Sequence, residues 1–359
     1  MLNFFKGKFK SIFVLNKNKI NFHIPLILTF LMGTFFTIGF YLNNIKAGLT
    51  ASLAGLILVY FPIYATTGER IITLLACSFA FIFSYALGLM FSFNYIISSI
   101  VFGMYCGIIH WLTSYLMVRP PKSFFFVMIA ATASCIPHRP DKIAESLGLF
   151  ALGSIIVTFV AFVYSIIVNK NKPSISGRIF HVNFKYNQDT DLLEAIIFGI
   201  FMFISLLVGH LLKVVNPYWI SVSCVAALQG ASKDHVIQRV TQRIAGTFMG
   251  LGLCWITLIF ANEDIKLILI SIVILQFILE ATVQRNYAIG IIFATPLTIL
   301  LADASTLFTM STTTFMKLRL FNTLIGCLIG ALGGVVIHHE KLKYELKKKL
   351  KLLGIGSLN

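Results

Sequence analysis

Long apolar runs broken by short polar turns repeat from one end of this chain to the other. Twelve runs stand out, near 23–43, 48–65, 71–91, 95–117, 122–137, 146–168, 193–213, 217–230, 240–260, 265–282, 286–302 and 314–337. Most are long enough to cross roughly 30 Å of hydrocarbon as helices. The fifth and eighth are short, and the count falls to ten or eleven if either is re-entrant. The pattern predicts an all-α, polytopic membrane protein with about twelve transmembrane helices.

One stretch carries more chemistry than the others. From Asn216 to Gly252 an apolar helix opens on Pro217, Tyr218 and Trp219 and closes at Gln229-Gly230. A polar turn follows (Ser232, Lys233, Asp234, His235), and then a second helix bearing Arg239, Arg243, Thr247, Gly250 and Cys254 on one stripe. Small residues on such a stripe let a neighbouring helix come close, and arginines near a helix end stand where it leaves water. The twelfth run repeats the device with Arg319, Thr323, Gly326 and Gly330. Both share R-x-x-x-T-x-x-G. The glycines read first as packing residues alone, and the arginines equally as side chains reaching back to the interface.

Composition agrees with the pattern: 58% of residues are hydrophobic, 12% are charged and the mean hydropathy is +0.88. The net charge of +16 is spread over loops, which excludes a nucleic-acid footprint. With the N-terminus inside, 22 of the 29 Lys and Arg fall on inner segments, so both termini are expected in the cytoplasm. The six cysteines lie within apolar runs without metal-site spacing and read as small buried hydrophobes. No metal site, cofactor motif, Ser-His-Asp set or phosphate loop is present, so no enzyme is expected.

Residues 1–22 form a basic, weakly amphipathic segment with Phe5, Phe9, Ile12 and Phe13 on one face and no cleavage site, expected to lie on the cytoplasmic leaflet. The C-terminal tail, 339–359, repeats that character: Leu342, Leu346, Leu350 and Leu353 share a face flanked by lysines suited to anionic lipid.

Sliding the chain by 169 positions brings Ser52 onto Ser221, Arg70 onto Arg239, Phe79 onto Phe248 and Leu149 onto Leu318. The pattern predicts two parallel six-helix repeats, 23–168 and 193–338, joined by a cytoplasmic linker at 169–192. The halves differ chemically, because Leu74 and Phe150 stand where the second half has Arg243 and Arg319.

The order Pro217-Tyr218-Trp219, Leu228-Gln229, Arg239, Arg243-Ile244-Ala245-Gly246-Thr247, then Arg319-Leu320-Phe321-Asn322-Thr323-Leu324-Ile325-Gly326 resembles the FUSC (fusaric acid resistance-like) family, which includes bacterial aromatic acid exporters. The resemblance covers about Asn216 to Gly334 and reaches the first half only through the repeat. Many relatives carry a sizeable cytoplasmic domain, where this chain shows a basic tail. The resemblance implies proton-driven export of small organic, aromatic carboxylic acids across a bacterial inner membrane. It makes Trp219, Gln229, Arg239, Arg243, Thr247, Arg319, Asn322 and Thr323 candidates for substrate binding.

A proton-coupled exporter needs a titratable group within the membrane, and the candidates are His110, His210, Glu280 and Asp303. Each reads also as an interfacial residue in reach of water. Pro296, between Thr295 and Thr298, marks either a break or a kink in the eleventh run. Tyr218, Trp219 and Trp255 suit either aromatic stacking or interfacial anchoring. The expected partners are a small organic anion and the bilayer, with a homo-oligomer or periplasmic adaptor left open and nucleic acid excluded. An organic-anion channel and a non-transporting membrane scaffold stand as the alternatives to a transporter.

Overall fold

The computed structural model describes residues 22–63, 65–170, 191–261, 264–305 and 312–339, without the side chains of 169–170, 303–305 and 312. The expected N-terminal surface helix, nearly all of the linker and the C-terminal tail lie outside the described residues. The described chain is helical throughout: α1 (His23–Tyr41), α2 (Ile45–Leu53), α3 (Thr67–Met90), α4 (Tyr95–Tyr115), α5 (Phe124–Ser134), α6 (Pro140–Lys170), α7 (Leu192–Leu211), α8 (Tyr218–Leu228), α9 (Lys233–Ala261), α10 (Ile265–Val283), α11 (Tyr287–Ser305) and α12 (Thr312–Ile337). A helix stands at each of the twelve apolar runs. Eight of them, α1, α3, α4, α6, α7, α9, α10 and α12, are long and apolar enough to cross a membrane.

Of the four others, three are short, for different reasons. α2 continues as a 3-10 helix over Ala54–Tyr60, and the segment stops at Phe61 and Pro62, where the backbone turns extended. Tighter winding leaves poorer hydrogen bonds, so such runs are seldom long. α5 and α8 have eleven residues each, about 16 Å at 1.5 Å per residue. α11 runs unbroken through Pro296, so the proline does not end the helix.

Large apolar side chains point outward along the long helices. Phe30, Phe79, Phe159, Phe248 and Phe260 are each more than 60% exposed, an arrangement that water would penalise and lipid accepts. Five of the six cysteines are buried and all six are free thiols. The chain is an all-α, polytopic membrane protein.

Two compact units make up the described structure. The first holds α1, α2, α6, α10 and α11, with α3 as far as Ala86, α9 from Ala245 and α12 as far as Leu320. Its core forms around α2 and the 3-10 turn, where Ala54 and Ile57 are fully buried. Gly153 of α6 lies against the carbonyl of Ala51, and a Cβ there would also meet Ala54 at 3.1 Å. The second half of α9 seats on α11 in the same manner. A Cβ on Gly246 would stand 2.7 Å from Ala288 O, and one on Gly250 2.7 Å from Ile292 O. Ile292 is the residue whose carbonyl loses its helical donor to Pro296.

The second unit holds α4, α5, α7 and α8, the last turn of α3, α9 as far as Ile244 and α12 from Phe321. Its centre is α8, in which every residue from Trp219 to Leu228 is buried. Glycine lets α12 lie directly on it: Gly326 against Ile220 O and Ser223, Gly330 against Cys224 O at 2.6 Å from an added Cβ. α4 and α7 cross closely at Gly103, Gly107 and Gly199. Small residues thus place backbones near each other in both units.

Candidate functional site

The second unit buries an arginine in its core. α9 begins at Lys233 with Asp234 in its first turn, and Arg243 lies ten residues on, about 15 Å along the axis. Its side chain is 3% exposed, and Nε donates to Ser223 Oγ at 3.1 Å. Ser223 is held in turn, because its hydroxyl donates to Trp219 O one turn earlier on α8 at 2.9 Å. A second hydroxyl pair follows nearby in sequence: Ser205 of α7 donates to Ser221 at 3.0 Å. Burying a guanidinium is costly unless polar groups surround it, and Ser223 of α8 meets part of that need.

α12 completes this region. Gly326 rests on Ser223, so Thr323, one turn before it, stands on the same side of α12. Both Asn322 and Thr323 are fully buried. Asn322 Nδ2 donates to Asn216 O at 3.3 Å, whereas Asn322 Oδ1 and Thr323 Oγ1 have no hydrogen-bond partner. Buried polar atoms left so are rare and call for an unseen partner such as water or ligand. Trp219 is 1% exposed, so it does not anchor at a lipid interface. Trp255, at 60% exposure, has the exposure an anchor needs.

Six of the eight expected substrate residues belong to this unit: Trp219, Gln229, Arg239, Arg243, Asn322 and Thr323. Gln229 stands at the far end of α8, its Nε2 donating to Pro121 O at 2.8 Å. Arg239 is half-buried one turn before Arg243. Thr247 and Arg319 belong to the first unit, both buried, and Thr247 Oγ1 has no hydrogen-bond partner. Ser223, Ser221 and Ser205 were not picked out from the sequence. Serine is common in apolar helices, where it bonds back to its own carbonyls, and gives no signal of its own.

The four titratable candidates fall in different surroundings. His110 of α4 is buried between Glu194 and Ser123 in the second unit, with Nε2 3.5 Å from Glu194 Oε1 and Nδ1 3.4 Å from Ser123 Oγ. His210, near the end of α7, leaves Nε2 buried without a hydrogen-bond partner. Glu280 of α10, in the first unit, is 6% exposed and accepts from Gln276 Nε2 at 3.1 Å. Asp303 sits at the end of α11, and its side chain lies outside the described residues. Among the described residues no group of three His, Cys, Asp or Glu is placed to hold a metal ion.

The family match falls on this part of the chain. The family described as fusaric acid resistance protein-like matches residues 202–333, which span α8, α9, α10 and α11, nearly all of α12 and the second half of α7. Over that stretch the chain is similar to FUSC-like membrane proteins. It is also 30% identical over 146 residues to an uncharacterized membrane protein of Bacillus subtilis (strain 168), YvaC. That alignment covers 41% of this chain and 23% of the relative, so the chain matches about a quarter of the length of YvaC. No solved structure matches.

Proposed function

We propose that this protein is a secondary transporter of the bacterial inner membrane that exports small organic, chiefly aromatic, carboxylic acids at the expense of the proton gradient. The observation that carries the reading is Arg243, buried with its Nε on Ser223, the residue on which Gly326 of α12 rests one turn after the fully buried Thr323 and Asn322. A guanidinium offers a planar fork that fits a carboxylate, and Thr323 can add a hydroxyl donor. Trp219, on the same helix as Ser223, supplies an aromatic face for the ring of such an acid. Arg239, one turn before Arg243 on α9, serves the approach to the site and Gln229, at the end of α8, its flank; Thr247 and Arg319, in the first unit, are substrate-binding candidates on the family resemblance alone. The similarity to FUSC-like proteins over 202–333 supports transport as the class of activity.

In this reading the chain crosses twelve times as two parallel six-helix repeats with both termini in the cytoplasm. Lys46 and Arg139 then label from outside in single-cysteine variants, and Asp234 only from inside. Outside labelling of Asp234 would sink that topology. Transport itself is tested with labelled benzoate in inverted vesicles. Uptake that collapses with a protonophore supports the transporter, and gradient-independent flux would replace it with an organic-anion channel. Absence of any flux from purified, folded protein would leave a scaffold role.

A further inference from the structure

We propose that His110 and Glu194 form the proton-binding pair of this protein, linked through Ser123 and Gln229 to the helix that holds the arginine site. The pair deepens the transport reading, since it names the group that would couple the proton to the anion.

Four side chains and one carbonyl, all in the second unit, make up the link. The His110 ring is stacked on Phe198 of α7, with centroids 4.1 Å apart and planes 11° from parallel. Stacking fixes the ring plane, so its two nitrogens point to two different elements. Nε2 meets Glu194 in the first turn of α7, whose side chain is 37% exposed. Nδ1 meets Ser123, which is fully buried just before α5. One nitrogen therefore faces a carboxylate open to the surroundings, and the other faces a hydroxyl closed off from them. Such a gradient of exposure suits a group that takes its proton from one side only.

The chemistry of imidazole supplies the switch. In the neutral ring with its proton on Nε2, Nδ1 is an acceptor and Ser123 donates to it. Taking up one proton from water by way of the exposed Glu194 converts the ring to imidazolium, in which both nitrogens are donors and the charge is balanced by Glu194. Ser123 then accepts, and its own proton turns elsewhere. No heavy-atom bond forms or breaks. Ser123 is two residues from Pro121, whose carbonyl accepts Gln229 Nε2 at 2.8 Å from the end of α8. Six residues back along that rigid, buried helix is Ser223, the hydroxyl on Arg243. The other charged groups on the elements packed against α4 are Lys122 and Arg119 ahead of α5 and Asp191 and His210 of α7; Asp191 caps the first turn of α7 by accepting from Leu193 N.

The step from Ser123 to Pro121 runs along two residues of backbone, and the coupling across it is a measurable quantity. Trp219 lies on α8, and replacing Trp111 and Trp255 by Phe leaves it the sole tryptophan of three. In full-length protein held in nanodiscs, its emission should change in a step as the pH is lowered. The step should be lost in His110→Gln, displaced along the pH axis in Glu194→Gln, and lost in Gln229→Ala while the His110 ring still titrates by nitrogen NMR. Absence of a step in the parent, or its persistence in His110→Gln, overturns the proposal. Should His110→Gln fail to fold, the partly exposed Glu194→Gln decides: an unmoved step overturns the pair. Benzoate uptake into inverted vesicles separates the two readings. A parent that carries no benzoate ends the transport reading and leaves the tryptophan step to judge the pair. A His110→Gln variant that keeps gradient-driven uptake ends the pair and leaves transport standing.

Discussion

Three arginines are buried to 3% exposure, Arg70 and Arg319 in the first unit and Arg243 in the second, and Arg70 and Arg243 have different kinds of acceptor. Arg70, at the start of α3 in the first unit, reaches back to the end of the 3-10 segment. Its Nε donates to Pro62 O at 3.2 Å, its Nη2 to Ile63 O at 2.6 Å and its Nη1 to Ser165 Oγ at 3.1 Å. The guanidinium also lies over the Phe61 ring, 5.1 Å from its centroid. Those carbonyls lie where α2 and its continuation stop, and backbone carbonyls at a buried helix end need donors. Arg70 is thus a structural clamp. Arg243 instead donates from Nε to a side-chain hydroxyl in the middle of an intact helix. A hydroxyl can rotate and accept a substitute; a helix-end carbonyl cannot. Equal burial of the same residue type therefore does not imply equal roles, and the acceptor is what separates them.

The largest effect that would sharpen this contrast is expected for Arg70→Ala. It leaves two carbonyls and Ser165 without the donor they now share, at about 1–3 kcal/mol for each unsatisfied group. Most of the folded protein should be lost, as read by size-exclusion chromatography after mild heating in detergent. A variant as stable as the parent would break the clamp reading. Gly326→Val should come next, because its added Cβ lies against Ile220 O and 2.6 Å from Ser223 Cβ. Forcing α12 off α8 should cost about 1–3 kcal/mol and lower the melting temperature. An unchanged melting temperature would mean that the two helices do not meet as described. The smallest effect is expected for Ser223→Ala, which removes the hydroxyl accepting from Arg243. Half-saturation for benzoate should change only a few-fold, in line with about 0.5–1.5 kcal/mol for one hydrogen bond, at near-normal yield. A collapse of yield there would make Ser223 a clamp as well.

The helices were legible because apolar runs of span length have few alternatives in a chain this hydrophobic. Their lengths were legible less evenly. Ala54–Tyr60 is as apolar as any helical segment, and nothing in its residue types distinguishes 3-10 from α winding; the stop at Phe61-Pro62 and the reach of Arg70 are tertiary facts. Arg243, Asn322 and Thr323 were visible as polar residues inside apolar runs. Glu194 was not, since an acid in the first turn of a helix already has a local explanation in the helix dipole. Ser123 and Ser223 acquire meaning only from partners 13 and 20 residues away. The division of α9 and α12 between the two units has no counterpart in periodicity, which reports the face of a helix and not the neighbours along it.

The most direct test compares Arg243→Lys with Arg70→Lys by initial rates of labelled benzoate uptake into inverted vesicles over a range of concentrations, normalised to folded protein. Lysine keeps the charge and loses the planar fork. Arg243→Lys should fold at normal yield and raise the half-saturating benzoate concentration about ten- to a hundred-fold, the equivalent of about 1.5–3 kcal/mol for a charge-assisted contact. Arg70→Lys should lower the amount of folded protein and leave half-saturation of the remainder unchanged. Parent-like kinetics in Arg243→Lys would contradict the claim that this arginine reads the anion.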